Sequence, residues 1–348
     1  MPQTSKTKKV KKFISAHNHL REGKLLHWVV RAERFYSYLV AMGNLAIATS
    51  TSGLVLDYVF NIIGAGAKFV ALPNQKKTKN TTVDTISEVA RYGYIKAVKF
   101  LPANTSTGSE KGISFFDLLS SHGRKLLAEI ERGNLLFLIH AELIRDKNGK
   151  LIDPRERSLM AIPFLKIIAK DFPNLRIVIE HANDRATIEF VRKARKNVWA
   201  TLRPQDTMLT YDDVYDKTGK FHPLNYALPI AKSLDDALAV HEAMVGGEDK
   251  FFYGPDSAPW LLEDKLKGKA GIFIPSKYAI PLVVEIFEKA KAINHLQKFT
   301  VDIARELYGL HEVIEELTLI AESQVVPHSY HGIPLFMAGE TLKYKIIE

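Results

Sequence analysis

The sequence predicts an α/β fold, a (β/α)8 TIM-type barrel, and three observations carry that expectation. Short β-rich apolar runs recur eight times along the 348 residues. Each is followed by a stretch whose apolar residues repeat at three- and four-residue spacing. The chemically active side chains gather at the ends of the runs. Apolar strands alternating with amphipathic helices call for a parallel sheet covered on both faces. Eight such units in one chain suit a closed barrel better than an open sheet.

The eight runs are 13–19, 38–44, 68–73, 97–102, 135–142, 176–181, 198–202 and 251–256. Between them lie "SGLVLDYVFNIIGAG", "ISFFDLLSSHGRKLLAEIERG", "RSLMAIPFLKIIAKDF", "DRATIEFVRKARK" and "SLDDALAVHEAMVGG", each patterned to bury one helical face. After the eighth run, "KYAIPLVVEIFEKAKAIN" and "KFTVDIARELYGL" read as closing helices, and "PLFMAGETLKYKIIE" as a final short strand packed against the barrel. Residues 1–12 read as a basic, disordered tail and 13–348 as a single barrel domain, since no repeat, low-complexity stretch or linker divides the chain.

Composition narrows the chemistry. A hydrophobic content of 46% with 25% charged residues is that of an ordinary globular protein with a full-sized core. No apolar run is long enough to span a bilayer, and no signal-peptide pattern is present, which fits a cytoplasmic protein. With zero cysteines there is no disulfide framework and no thiolate to act as nucleophile or ligand. The net charge of +9 is concentrated at the start: Lys6, Lys8, Lys9, Lys11 and Lys12 account for five of the 48 basic residues, leaving 43 against 39 acidic. No nucleic-acid recognition motif accompanies that cluster, so neither nucleic acid nor a membrane is expected as a partner.

In a (β/α)8 barrel the chemistry sits at the C-terminal ends of the strands. Those ends carry His17 and His19 in "ISAHNHLREG", Asn44 in "MGN", Lys99 in "AVKFLPAN", His140 in "FLIHAE", His181 in "IVIEH" and Asp256 in "FFYGPDS". Each has an ordinary reading. A histidine ending an apolar strand can be a satisfied core residue, a lysine can snorkel or pair with a carboxylate, and an aspartate before serine and proline can be a turn or a cap. Taken together they read as a site, because unpartnered buried charges and imidazoles are costly. Lysine suits a metal site only if its amine has reacted with carbon dioxide, giving an anionic carbamate whose two oxygens can bridge two ions. His17, His19, the Lys99 carbamate and Asp256 would then hold one zinc, and His140, His181 and the other carbamate oxygen the second. Two such ions lower the pKa of a bridging water and polarise a carbonyl oxygen, while Asp256 would shuttle the proton.

"HNHLREG", "MGNL", "VKFLPANTSTGS", "IHAE", "IEHAND", "YALPIAK", "GPDSAP", "AGIF" and "MAGETLKY" resemble, in order and spacing, the short bacterial-type dihydroorotases of the amidohydrolase superfamily. The resemblance runs from about residue 13 to the C-terminus, and its most specific pieces are K-x-x-P-A-N and D-S-A-P. It implies a hydrolase of pyrimidine biosynthesis that interconverts N-carbamoyl-L-aspartate and L-dihydroorotate with two Zn2+ bridged by a carboxylated Lys99, and a homodimer. It further implies that Arg21 and Asn44 bind the substrate carboxylate, that Ser106 and Thr107 lie on a mobile lid, and that Leu228, Ala270 and Gly271 contact the ring. A guanidinium fork is apt for a carboxylate.

The chain departs from that family pattern at several places. Trp260 stands where the family has a substrate-binding histidine, and an indole offers one N–H donor but no charge. Ser15 replaces an aspartate, "MGN" replaces Met-Pro-Asn, Pro255 precedes Asp256 where a hydroxyl residue is usual, and "RPQDT" follows the seventh strand where a histidine pair is frequent. None of these touches an expected metal ligand. Two alternatives follow: a hydantoin- or dihydropyrimidine-type hydrolase with an altered substrate, and a catalytically impaired homologue kept as a scaffold.

Overall fold

The computed structural model describes residues 7–42, 51–78, 80–103, 105, 109 and 112–347. All eight expected runs form strands. The first is preceded by β1 (Thr7–Lys11), so the barrel consists of β2 (Ile14–Asn18), β3 (Tyr38–Ala41), β4 (Val70–Lys76), β5 (Ala97–Phe100), β6 (Leu136–His140), β7 (Arg176–Glu180), β8 (Val198–Leu202) and β9 (Phe251–Tyr253), paired in parallel in sequence order. The barrel closes between its first and last strands. Asn18 bridges Ser257, the Asp256 N–H donates to the His17 carbonyl at 3.0 Å, and the His19 N–H donates to the Ser257 carbonyl at 2.8 Å.

Strand alternation sorts the apolar residues into two cores. Ile14, Ala16, Val40, Leu72, Ala97, Leu136, Leu138, Val178 and Phe252 pack together in the barrel interior, where they meet Val301, Ala304, Leu307 and Tyr308. These last residues belong to the closing helical segment 298–308, so that segment plugs one end of the barrel. The other face of the same strands, with Leu39, Val98, Phe137, Ile177 and Phe251, packs with residues of the surrounding helices. Those helices fall where helical periodicity places them: Ser52–Gly64, Arg157–Asp171, Arg185–Lys193, Leu234–Val245 and Ser276–Lys289. The stretch 113–133 splits into Phe115–Leu118 and Ser121–Arg132. The Ser120 hydroxyl caps the second helix by accepting from the Gly123 N–H at 3.2 Å, so a new helix starts there.

The basic tail differs from expectation. Its described part is not disordered: Thr7–Lys11 pairs antiparallel with β10 (Glu316–Ile320), which also pairs with the short strand Lys345–Ile346. The lysines have acidic counterparts across the fold. Lys8 meets Glu288 at 2.9 Å, Lys12 meets Glu315 at 2.9 Å, and Lys9 and Lys11 lie 3.8 and 3.9 Å from Glu316. A local charge run was read without these partners, which lie some three hundred residues away.

Candidate functional site

The strand ends converge on one cleft at the mouth of the barrel, lined by His17, His19, Arg21, Lys76, Lys99, Leu101, His140, His181, Leu228, Asp256, Trp260 and Ala270 among others. Parity explains part of the convergence. Lys99 continues the inward face of Ala97, His140 that of Leu136 and Leu138, and Glu180 that of Val178. His17 and His181 do not follow parity. The β2–β3 register shifts between Ser15 and Asn18, and His181 takes a left-handed backbone with φ 44°. Arg21 (φ 63°) and Asp256 (φ 49°) are left-handed as well. Such conformations cost about 1–3 kcal/mol each and are found where a site needs side chains aimed against the regular backbone.

His17, His181 and Asp256 form one buried group, with one potential ligand atom from each lying within 4.8 Å of the others. The Asp256 Oδ1 is 3.3 Å from His17 Nε2 and 3.4 Å from His19 Nε2. The His140 ring lies edge-on to that of His181 at 4.5 Å between centroids. Its Nε2 pairs with the Glu142 carboxylate at 2.6 Å, so it is held at the margin of the cluster. Lys99 Nζ lies against the Glu180 carboxylate, whose other oxygen is 3.1 Å from His17 Nδ1.

The electrostatics suit a divalent cation. Burial lowers the pKa of His17, His19, His140 and His181, which favours the neutral imidazole that ligates metal. Burial alone would raise the Asp256 carboxyl, but His17, His19, His181 and Arg203 reverse it and hold the group well below the usual carboxylate range. Burial pulls the Lys99 ammonium down to about 7. His181 Nδ1 is buried and makes no hydrogen bond. Leaving such a group unsatisfied costs about 1–3 kcal/mol, and a cation held by several imidazoles and one carboxylate would remove that cost. The residues present therefore fit a metal ion.

No family model matches the chain. A dihydroorotase from Marinomonas sp. is 31% identical over 341 residues, covering 95% of this chain and 96% of the relative. The chain belongs to the dihydroorotase family. Among solved structures, a dihydroorotase from Campylobacter jejuni superposes with a TM-score of 0.88 at 26% identity, covering 100% of this chain and 99% of that one. A dihydroorotase from Saccharomyces cerevisiae in complex with 5-fluoroorotic acid gives 0.86 at 27%, covering 97% and 98%. The chain is accordingly a metal-dependent cyclic-amide hydrolase by family, on a barrel fold.

The grip side of this dihydroorotase-family cleft is partly described. Asn44, Ser106 and Thr107 lie outside the described residues. Arg21 is buried, its guanidinium lies 4.0 Å from the centre of the Trp260 ring, and its Nε donates to the Pro259 carbonyl at 2.8 Å. Burial lowers its pKa only to about 10, so it remains a cation at neutral pH. The Trp260 indole N–H donates to the Ala270 carbonyl at 2.9 Å, so the tryptophan spends its one donor on the protein. Gly271 (φ 144°) sits so close to the Ala258 carbonyl that any Cβ would collide. The buried Lys265 donates to the carbonyls of Tyr226 (2.8 Å), Lys269 (3.1 Å) and Gly271 (2.6 Å), tying down this wall of the cleft.

Reading the sequence missed four residues here: Glu180, Glu142, Arg203 and Lys265. Glu180 and Glu142 had a usable signal, since each is an acid at the end of an apolar strand, two residues on from an inward-facing Val178 or His140. Arg203 pairs with Asp206 three residues on, but its contacts to Leu228, Pro229 and Asp256, like that of Lys265 to Tyr226, reach segments for which no local pattern exists.

Proposed function

We propose that this chain hydrolyses and forms the cyclic amide of L-dihydroorotate, interconverting it with N-carbamoyl-L-aspartate in pyrimidine biosynthesis. The observation that carries the reading is the buried group of His17, His181 and Asp256, ringed by His19, His140 and Lys99. His17, His19, His140, His181, Asp256 and a carboxylated Lys99 would hold two zinc ions, which supply when bound a lowered water pKa and a polarised carbonyl. Glu180, with an oxygen already 3.1 Å from His17 Nδ1, would hold that imidazole with its Nε2 toward the ions. Asp256, ionised at neutral pH, accepts the proton of the attacking water and passes it to the leaving ring nitrogen. Arg21, held flat on Trp260, receives the substrate carboxylate as a fork. A homodimer in the cytoplasm is part of the same reading. No helix among the described residues is long and apolar enough to cross a membrane.

A second reading, an enzyme for uncharged hydantoins or dihydropyrimidines, is favoured by Trp260, whose indole adds no charge and whose N–H is occupied. One sample decides between them. Purified protein is analysed for zinc and assayed with L-dihydroorotate and with dihydrouracil. About two zinc per chain, as a dinuclear site requires, and preference for dihydroorotate support the first reading. Preference for dihydrouracil supports the second, and absence of both metal and turnover defeats both.

A further inference from the structure

Arg203 follows β8 directly and is 1% exposed, at the back of the cleft. Its five N–H donors are all engaged. Nε and Nη2 clasp the Asp206 carboxylate at 2.6 and 2.7 Å. Nη2 also donates to the Pro229 carbonyl at 2.9 Å, and Nη1 to the Leu228 carbonyl at 3.2 Å and to Asp256 Oδ2 at 3.1 Å. Beside it, Gln205 Nε2 donates to the Pro255 carbonyl at 2.9 Å. The segment 203–206 thus grips residues 255–256 and 228–229 together.

The two oxygens of Asp256 face opposite ways. Oδ1 is turned to His17 and His19, and Oδ2 to Arg203. Asp256 also sits in a left-handed backbone conformation, φ 49°. A lone guanidinium this deep would oppose any cation in the cleft, but the bidentate pair with Asp206 cancels its charge locally. What remains is a rigid set of donors, without a net field against the imidazole cluster.

We propose that the Arg203–Asp206 pair is a positioning device that holds Asp256 by Oδ2, so that Oδ1 alone is presented to the metal side, and that fixes the Leu228–Pro229 wall in the same act. This rests on Asp256 being a metal ligand. Such outer partners are worth about 10–100-fold in metal affinity or activity.

The test loads the full chain with Co2+ and records affinity and the visible absorption band for wild type, Asp256→Asn, Arg203→Met and Arg203→Lys, with melting curves for each. Arg203→Met is expected to weaken Co2+ binding about tenfold or more and to alter the band, with Arg203→Lys falling between it and wild type. If Arg203→Met lowers only the melting temperature, and leaves band and affinity within threefold of wild type, Arg203 merely packs and the proposal is overturned. If Asp256→Asn itself leaves the band unchanged, Asp256 is no ligand and the underlying reading fails. Should Arg203→Met not fold, because it strands the Asp206 carboxylate, the charge-neutral pair Arg203→Met/Asp206→Leu carries the same measurement and the same criteria.

Discussion

The two sides of the barrel mouth are built on different supports. His17, Lys99, His140, His181 and Asp256 stand in or just beyond parallel strands whose register is shared with both neighbours. Arg21, Leu228, Trp260, Ala270 and Gly271 stand on the connections that follow strands, where side-chain contacts within and between these connections hold them: Arg21 on Trp260, Trp260 on Ala270, Lys265 on three carbonyls. A sheet fixes the backbone of the first group through hydrogen bonds that no single side-chain substitution removes. The second group depends on individual side chains, so a chain can alter its substrate grip without disturbing its metal side. The departures from the family pattern fall on both sides: Ser15 in β2, Pro255 beside Asp256 and Arg203 bonded to Asp256 adjoin the metal side without replacing an expected ligand. Trp260 lies in the grip.

Predictions from this contrast separate turnover from binding. On the metal side, Asp256→Ala should lower kcat by about a thousandfold or more, since it removes the proposed proton shuttle and the proposed ligand together. The assay is dihydroorotate hydrolysis with zinc analysis, and a loss under tenfold would erase the distinction between the two sides. On the grip side, Trp260→Ala removes the platform under Arg21. A buried cation–π contact is worth up to about 2 kcal/mol, so KM should rise about 3- to 30-fold with zinc content unchanged. A fall in zinc content instead would show that the two sides are one unit.

Between the sides lies Glu33, buried behind Ser257, whose hydroxyl donates to it at 3.0 Å, as does the Ser276 N–H. Burial raises its pKa to about 8 from 4.5. Below about pH 4.5 both folded and unfolded states carry the proton. As pH rises toward 8 the unfolded state ionises while the folded state keeps its proton, so stability falls through that window. Glu33→Gln lacks the effect. Its melting temperature should therefore gain on wild type by a few degrees between pH 5 and pH 8.5, given about 2–4 °C per kcal/mol in larger domains. An equal pH dependence in both proteins would show the carboxyl to be ionised in the fold.

The smallest effect is expected far from the mouth. Lys12→Ala breaks one partly exposed pair with Glu315, of a kind worth about 0–1 kcal/mol, and should leave kcat and KM unchanged. A change in either constant would mean that the β1 edge communicates with the cleft.

The barrel and its eight strands were legible because burial on both faces writes a near-continuous apolar run for each strand, and helices packed on one face write their own period. Lys99 and His140 stood out for a related reason: a charged or polar side chain within or ending an apolar run is costly to bury without a partner. The β1 pairing was hidden, since lysines 8–12 find their acids at 288, 315 and 316. So was the Arg203 clasp, whose long-range partners come from the 228–229 loop and the end of another strand. Fold class and the residue types gathered at the mouth are written locally in the chain, because periodicity and strand ends are local properties. How those residues are aimed is set by long-range packing. The shifted register at His17, the left-handed turns at Arg21, His181 and Asp256, and the commitment of Trp260 to Ala270 all follow from contacts between segments far apart in the chain.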